Sequence, residues 1–202
     1  MKPFTRHCGI AAPLPIANVD TDQIVPKQFL KTVERKGLKS ALFYDQRHAA
    51  DGTPVPGFVL DRAPWTEATI LVAGDNFGCG SSREHAAWAL ADFGICCVIS
   101  SRIADIFYNN SFKTGFLPIA LKAEEVEALF QGARAEGYRL TVDLPAQTVS
   151  AAGGPSFRFD IDPFRKDCLV RGLDEIGLTL QQADAIRAYE ARRRAEAPWL
   201  FA

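Results

Sequence analysis

The sequence predicts an α/β protein in which a βαβαβ segment on a parallel sheet is followed by a smaller antiparallel strand meander. Two observations predict this. Over residues 66–121, three short apolar runs alternate with two helical patterns; parallel strands covered on both faces read as such unbroken runs, because no position along them meets water. Over residues 138–161, three further runs are separated by only a few turn residues, which leaves room for hairpins but not for crossover helices.

Taken along the chain, a strand is expected over residues 4–10, followed by Pro-punctuated loops to about residue 65. Loops of that length in a compact domain carry function or cover an interface. "ATILVAG" (68–74) is the first strand of the βαβαβ segment. "REHAAWALADFG" (83–94) is a helix with Ala86, Ala87, Leu90 and Phe93 on one side and Gly94 as its stop. "CCVIS" (96–100) is the second strand, "IADIFYNNSF" (103–112) a short helix and "FLPIAL" (116–121) the third strand. "KAEEVEALFQGARAEG" (122–137) is amphipathic, with Val126, Leu129 and Phe130 inward and Gly137 closing it. "YRLTVDL", "QTVSAA" and "SFRFDI" form the meander. Two helices end the chain, "DPFRKDCLVRG" capped by Asp162 and "TLQQADAIRAYEARRRA" capped by Thr179.

At 202 residues, with no Ser/Pro-rich or charged linker, the chain is expected to form one domain over 1–202. Its 23 Lys and Arg against 24 Asp and Glu leave a formal net charge of −1, without the electrostatic footprint of a nucleic-acid or anionic-membrane binder. The basic run "ARRRAEA" (191–197) reads as the solvated, dipole-complementing end of an amphipathic helix. The first residues lack the apolar core of a signal peptide and no apolar run is long enough to span a bilayer, so the protein is expected in the cytosol. Cys8, Cys79, Cys96, Cys97 and Cys168 are scattered, with no Cys-x-x-Cys and no His pair at zinc spacing. The chain is therefore not expected to hold a metal or iron-sulfur cluster by itself.

The stretch richest in chemistry is "GDNFGCGSSREHA" (74–86), directly after the first strand of the βαβαβ segment. Three readings are open. Ser81-Ser82-Arg83-Glu84 matches the capping box, which structure alone explains. Alternatively, glycines ahead of a helix N-terminus offer backbone N–H groups to an anion. The dinucleotide pattern breaks at Arg83, no acidic residue ends the second strand, and the Walker lysine is missing, so a small carboxylate fits better than a nucleotide. Arg83 then supplies a bidentate fork. In the third reading Ser81, set among N–H donors and near a guanidinium, is a proton-abstracting base. No Gly-x-Ser-x-Gly elbow is present, and His7, His48 and His85 give no Ser-His-Asp set. His85 reads as a packing or hydrogen-bonding residue of the helix.

Together with "NVDTDQIVPKQFL" (18–30), "ADIFYNNSFKTGFLPI" (104–119), "FRFDIDPFR" (157–165) and "GLDEIGLTLQ" (172–181), this loop closely resembles the small subunits of 3-isopropylmalate dehydratase, in the aconitase family. The similarity runs in order over nearly the whole chain. It implies an aconitase-type swivelling β/β/α domain on a separate chain. It also implies a large-subunit partner carrying a four-iron four-sulfur (4Fe-4S) cluster, with no cofactor on this chain. The reaction implied is hydro-lyase isomerisation of 2-isopropylmalate to 3-isopropylmalate in leucine biosynthesis, on a small-molecule dicarboxylate.

The resemblance also implies site roles. The first serine of the Gly-Ser-Ser-Arg loop matches Ser81, as the base, and its arginine matches Arg83, which fixes a substrate carboxylate. Ser82 shares that turn as a substrate-binding group. Asp22, in Thr21-Asp22-Gln23-Ile24, matches an aspartate that lines the active site; its alternative is capping a turn. Substrate choice maps to Phe29-Leu30-Lys31-Thr32, where Leu30 suits an isopropyl group and Lys31 departs from an apolar pattern. Cys79 reads as a small buried thiol. The alternatives are a related hydro-lyase subunit acting on citraconate or homoaconitate, and a stand-alone anion- or nucleotide-binding module.

Overall fold

The computed structural model describes residues 1–201. One seven-stranded mixed sheet runs through it in the order β4-β3-β2-β1-β5-β6-β7. Its strands are β1 (Arg6–Leu14), β2 (Ile70–Ala73), β3 (Cys97–Ser100), β4 (Leu117–Ala120), β5 (Arg139–Asp143), β6 (Thr148–Ala151) and β7 (Ser156–Arg158). The helices are α1 (Thr21–Ile24), α2 (Tyr44–Arg47), α3 (Glu84–Phe93), α4 (Asp105–Thr114), α5 (Ala123–Ala133), α6 (Pro163–Arg171), α7 (Glu175–Leu180) and α8 (Ala183–Glu196).

The expected βαβαβ segment is β2-α3-β3-α4-β4, parallel throughout. Stepping in one direction along the sheet with right-handed crossovers puts both helices on the same face. There Leu71 and Ala73 of β2 meet Ala86, Ala87 and Leu90 of α3 and Phe107 of α4. Alternate residues point to the other face. On that side Ile70 and Val72 meet Val126, Leu129 and Phe130 of α5, which carries the chain back past β1 to β5.

The first strand corrects the sequence reading. It runs over Arg6–Leu14 instead of stopping at residue 10, and it joins the two halves of the sheet. Arg6 to Ile10 pair antiparallel with β5, and Ala11 to Leu14 pair parallel with β2. Pro13 hid this extension, because proline removes a ladder donor. It is tolerated where β5 has ended and β1 has one strand neighbour. The meander is antiparallel as expected, but it shares the βαβαβ sheet through β1.

The C-terminal part also differs. Asp162 caps α6 by accepting from Arg165 N at 3.0 Å, as read from sequence. Thr179 caps nothing: it lies inside α7, its hydroxyl donating to Glu175 O at 2.9 Å. Asp174 is the cap there, accepting from Gly177 N at 2.8 Å, and α8 begins separately at Ala183. The amphipathic reading of that last helix fails as well, since α8 buries no residue. The loops of the first 65 residues, by contrast, contribute core: Leu38, Leu42, Phe43, Leu60 and Trp65 belong to the same buried cluster as the inner face of α3.

Candidate active site

The parallel strands β1, β2 and β3 end at one edge of the sheet, and the loops leaving them run side by side. Gly78 N donates to Val19 O at 2.7 Å and Thr21 N to Cys79 O at 2.9 Å. On the other side Phe77 N donates to Arg102 O at 3.0 Å and Ala104 N to Phe77 O at 2.9 Å. The serine loop is thus stitched between its two neighbours as a continuation of the strand order. Side chains reinforce it: Asp75 pairs with Arg102 at 2.8 Å, and Asn76 Nδ2 donates to Asn18 Oδ1 at 2.8 Å. Gly78 is required at its place, with φ of +76° and no room for a Cβ against the Phe107 ring.

This stitching decides what Ser81 does. Thr21 Oγ1 donates to the Ser81 carbonyl at 3.1 Å, holding the loop extended. Arg83 is still extended (φ −133°, ψ 110°), so α3 begins only at Glu84 with Arg83 as N-cap and no side-chain cap. The capping-box reading is therefore overturned: Ser81 stands two positions before the N-cap, and Glu84 occupies the first helical position instead of the third. Ser81 and Ser82 are left exposed. The backbone N–H groups of Ser81, Ser82 and Arg83 find no acceptor among the described residues, and they lead into the positive end of the α3 dipole.

Asp22 and Arg83 come together as an ion pair between Arg83 Nη1 and Asp22 Oδ1. The turn-capping role falls to Asp20, which accepts from Gln23 N at 2.7 Å in a capping box, so Asp22 is free to face Arg83. The pair borders an open depression of about 350 Å³ whose other charged walls are Lys27 and Asp45. Two cations and two carboxylates in one depression match a substrate that carries carboxylates and a polar hydroxyl. Lys27 lies within a motif that the sequence already marks; Asp45 carries no such signal, because only the packing of α2 brings it here.

Other expected site residues sit elsewhere. Leu30 is half-buried against the core and Lys31 is exposed, and neither lines the depression. Cys79 is half-buried rather than buried. His85 packs within the helix, as read from sequence, its ring 4.7 Å from that of Trp88, but its hydrogen bond leaves the helix, with Nε2 2.9 Å from the Thr32 carbonyl. It thereby ties the loop after residue 29 to helix α3.

Comparison with known proteins places this geometry. The chain matches the aconitase C-terminal domain over residues 1–124, the LeuD_N model over 127–163 and, over 175–202, the C-terminal domain of the 3-isopropylmalate dehydratase small subunit. It is 60% identical over 200 residues to the 3-isopropylmalate dehydratase small subunit of Phenylobacterium zucineum, covering 99% of this chain and 98% of the relative. It is 57% identical over 201 residues to that of Ruegeria sp. (strain TM1040), covering 99% of this chain and 100% of the relative. A crystal structure of 3-isopropylmalate dehydratase from Methanocaldococcus jannaschii superposes with a TM-score of 0.63 over 92% of this chain and 99% of the other, at 24% identity, which supports the fold. With full-length identity of this order and an aconitase C-terminal domain carrying the serine loop, the chain belongs to the family of 3-isopropylmalate dehydratase small subunits.

Proposed function

We propose that this chain is a single swivelling domain that works in the cytosol with a cluster-bearing large subunit to interconvert 2-isopropylmalate and 3-isopropylmalate. The observation that carries the reading is the Arg83–Asp22 pair at the depression, with Ser81 exposed two residues before Arg83 on the same loop although it does not line the depression. Among the described residues no three His, Cys, Asp or Glu side chains converge as a metal site. The donor set does not fit an iron-sulfur cluster, so the reading assigns the 4Fe-4S Lewis acid to the large subunit and no step of it to this chain.

What this chain supplies is orientation and a base. Arg83 exchanges its Asp22 contact for a substrate carboxylate, whose two oxygens match the guanidinium fork. Lys27 offers a second positive charge in the same depression. The Ser81 oxygen, held as the alkoxide by the unpaired N–H groups of the loop and the α3 dipole, takes the C–H proton and becomes the neutral hydroxyl. Ser82 lies in the same turn as a further polar contact to substrate. Leu30 and Lys31 act from the loop that His85 anchors, and they reach substrate only if that loop rearranges when the large subunit docks.

Ser81→Ala tests this in the reconstituted complex. The side chain caps no helix, so stability should change by less than about 0.5 kcal/mol. Loss of the base should lower kcat by roughly 10² to 10⁴ with KM little changed, while Ser82→Ala retains the larger part of kcat. A Ser81→Ala complex that assembles and keeps most of its kcat would sink the assignment. Turnover of the same pair on citraconate or homoaconitate distinguishes the related hydro-lyases, and dinucleotide binding by this chain would favour a nucleotide module.

A further inference from the structure

A second group of chemically active side chains converges at the opposite end of the parallel strands. Thr69 and Cys96 stand immediately before β2 and β3, whereas the serine loop follows β2. His7 Nε2 lies 2.7 Å from Thr69 Oγ1, and Cys96 Sγ lies 3.2 Å from the Thr69 carbonyl. They can crowd together because residue 9 is glycine. A Cβ there would collide with Thr69 Oγ1 and stand 2.8 Å from His7 Nε2. A depression of about 220 Å³ opens over this group, and its charged or titratable walls are Lys2, Arg6, His7 and Cys96, with no carboxylate.

The environment of Cys96 pulls in two directions. Neighbouring Cys97, fully buried, and His7 both favour the thiolate; burial and the bond that the neutral thiol gives to Thr69 O oppose this. The two neighbours outweigh these, so Cys96 is held below the usual thiol range while Cys97 is pushed up. Cys96 in turn raises His7, against burial and the Arg139 charge. Cys8 is exposed and also lowered, by Thr141 and Arg139, but it does not line this depression.

We propose that Cys96 is a thiol-disulfide exchange site for small anionic disulfides, which enter the depression under Lys2, Arg6 and His7. The Cys96 proton passes to His7, and the thiolate then attacks one sulfur of the disulfide. A new S–S bond forms to Cys96 as the old one breaks. Cys96 is oxidised, the departing sulfur is reduced, and that thiolate recovers the proton from the His7 imidazolium. One disulfide is consumed and one thiol released, with no other reactant. The site lies away from Arg83 and Ser81, so it stands whether or not the isomerase reading holds.

The test is stopped-flow release of the chromophoric thiolate when the full chain at pH 7 meets 5,5′-dithiobis(2-nitrobenzoate), with neutral 2,2′-dithiodipyridine for comparison. The expected result is a fast phase of one thiol per chain on Cys96, beside a separate reaction of exposed Cys8 and at least about tenfold faster than an ordinary thiol whose thiolate is a small fraction at that pH. Cys96→Ser should abolish the fast phase, Cys8→Ser should leave it, and Lys2→Gln with Arg6→Gln should slow the anionic reagent several-fold but not the neutral one. Peptide mapping of the wild-type adduct reads the site independently of how the variants fold. An adduct on Cys8 with none on Cys96, or no reaction until the chain is unfolded, would overturn the proposal.

Discussion

Arg83→Lys isolates the most specific contact of the proposed site. The structure separates its two consequences. As a structural group, Arg83 makes one ion pair, with its own side chain 18% exposed and Asp22 51% exposed. Water screens such a pair, which is worth about 0.5–1 kcal/mol. In a chain of 202 residues that corresponds to a melting shift of roughly 1–4 °C, less with lysine, which keeps the charge. As a substrate group, Arg83 offers two parallel N–H donors, of which a lysine reproduces one. A hydrogen bond to a charged group is worth about 1.5–3 kcal/mol, equivalent to roughly 10- to 150-fold in KM. The assay is steady-state kinetics of the reconstituted complex beside thermal melting of this chain. A melting loss above roughly 5 °C with unchanged KM would refute the reasoning. Asp22→Asn sharpens the test. If Arg83 serves only as its ion-pair partner, both variants lose the same stability and both keep their KM.

Other consequences are as direct. Gly78→Ala forces a side chain into a positive φ and into the Phe107 ring; it should cost more than about 2 kcal/mol and lower the yield of folded chain, measured by urea unfolding. His85→Ala releases the Thr32 carbonyl and should alter KM or the preference among hydroxy-dicarboxylates more than kcat; the same variant with unchanged selectivity would place that loop outside the site. Asp162→Ala should cost about 1 kcal/mol through loss of its cap, whereas Thr179→Ala should stay within about 0.5 kcal/mol, and paired melting curves compare the two.

The motif "GDNFGCGSSREHA" and the apolar runs around it were sufficient, with no coordinates, to mark a parallel βαβαβ unit and a loop rich in polar chemistry. Short-range physics explains that success. A strand buried on both faces has to be apolar at successive positions, and a helix that packs on one side has to repeat near 3.6 residues. The motif also brought Ser81 and Arg83 to notice, the family resemblance of residues 18–30 brought Asp22, and tertiary structure sets Asp22 against Arg83 at one depression. Tertiary structure alone decided three things. Whether Ser81 caps α3 depended on Thr21, sixty residues earlier, holding its carbonyl. Whether β1 continued past Ile10 depended on which neighbours Pro13 met. Whether Asp45, Cys96 and His7 mattered depended on distant segments arriving beside them. A local pattern records the energetics of a residue with its near neighbours along the chain, whereas a partner delivered by folding leaves no periodicity to read.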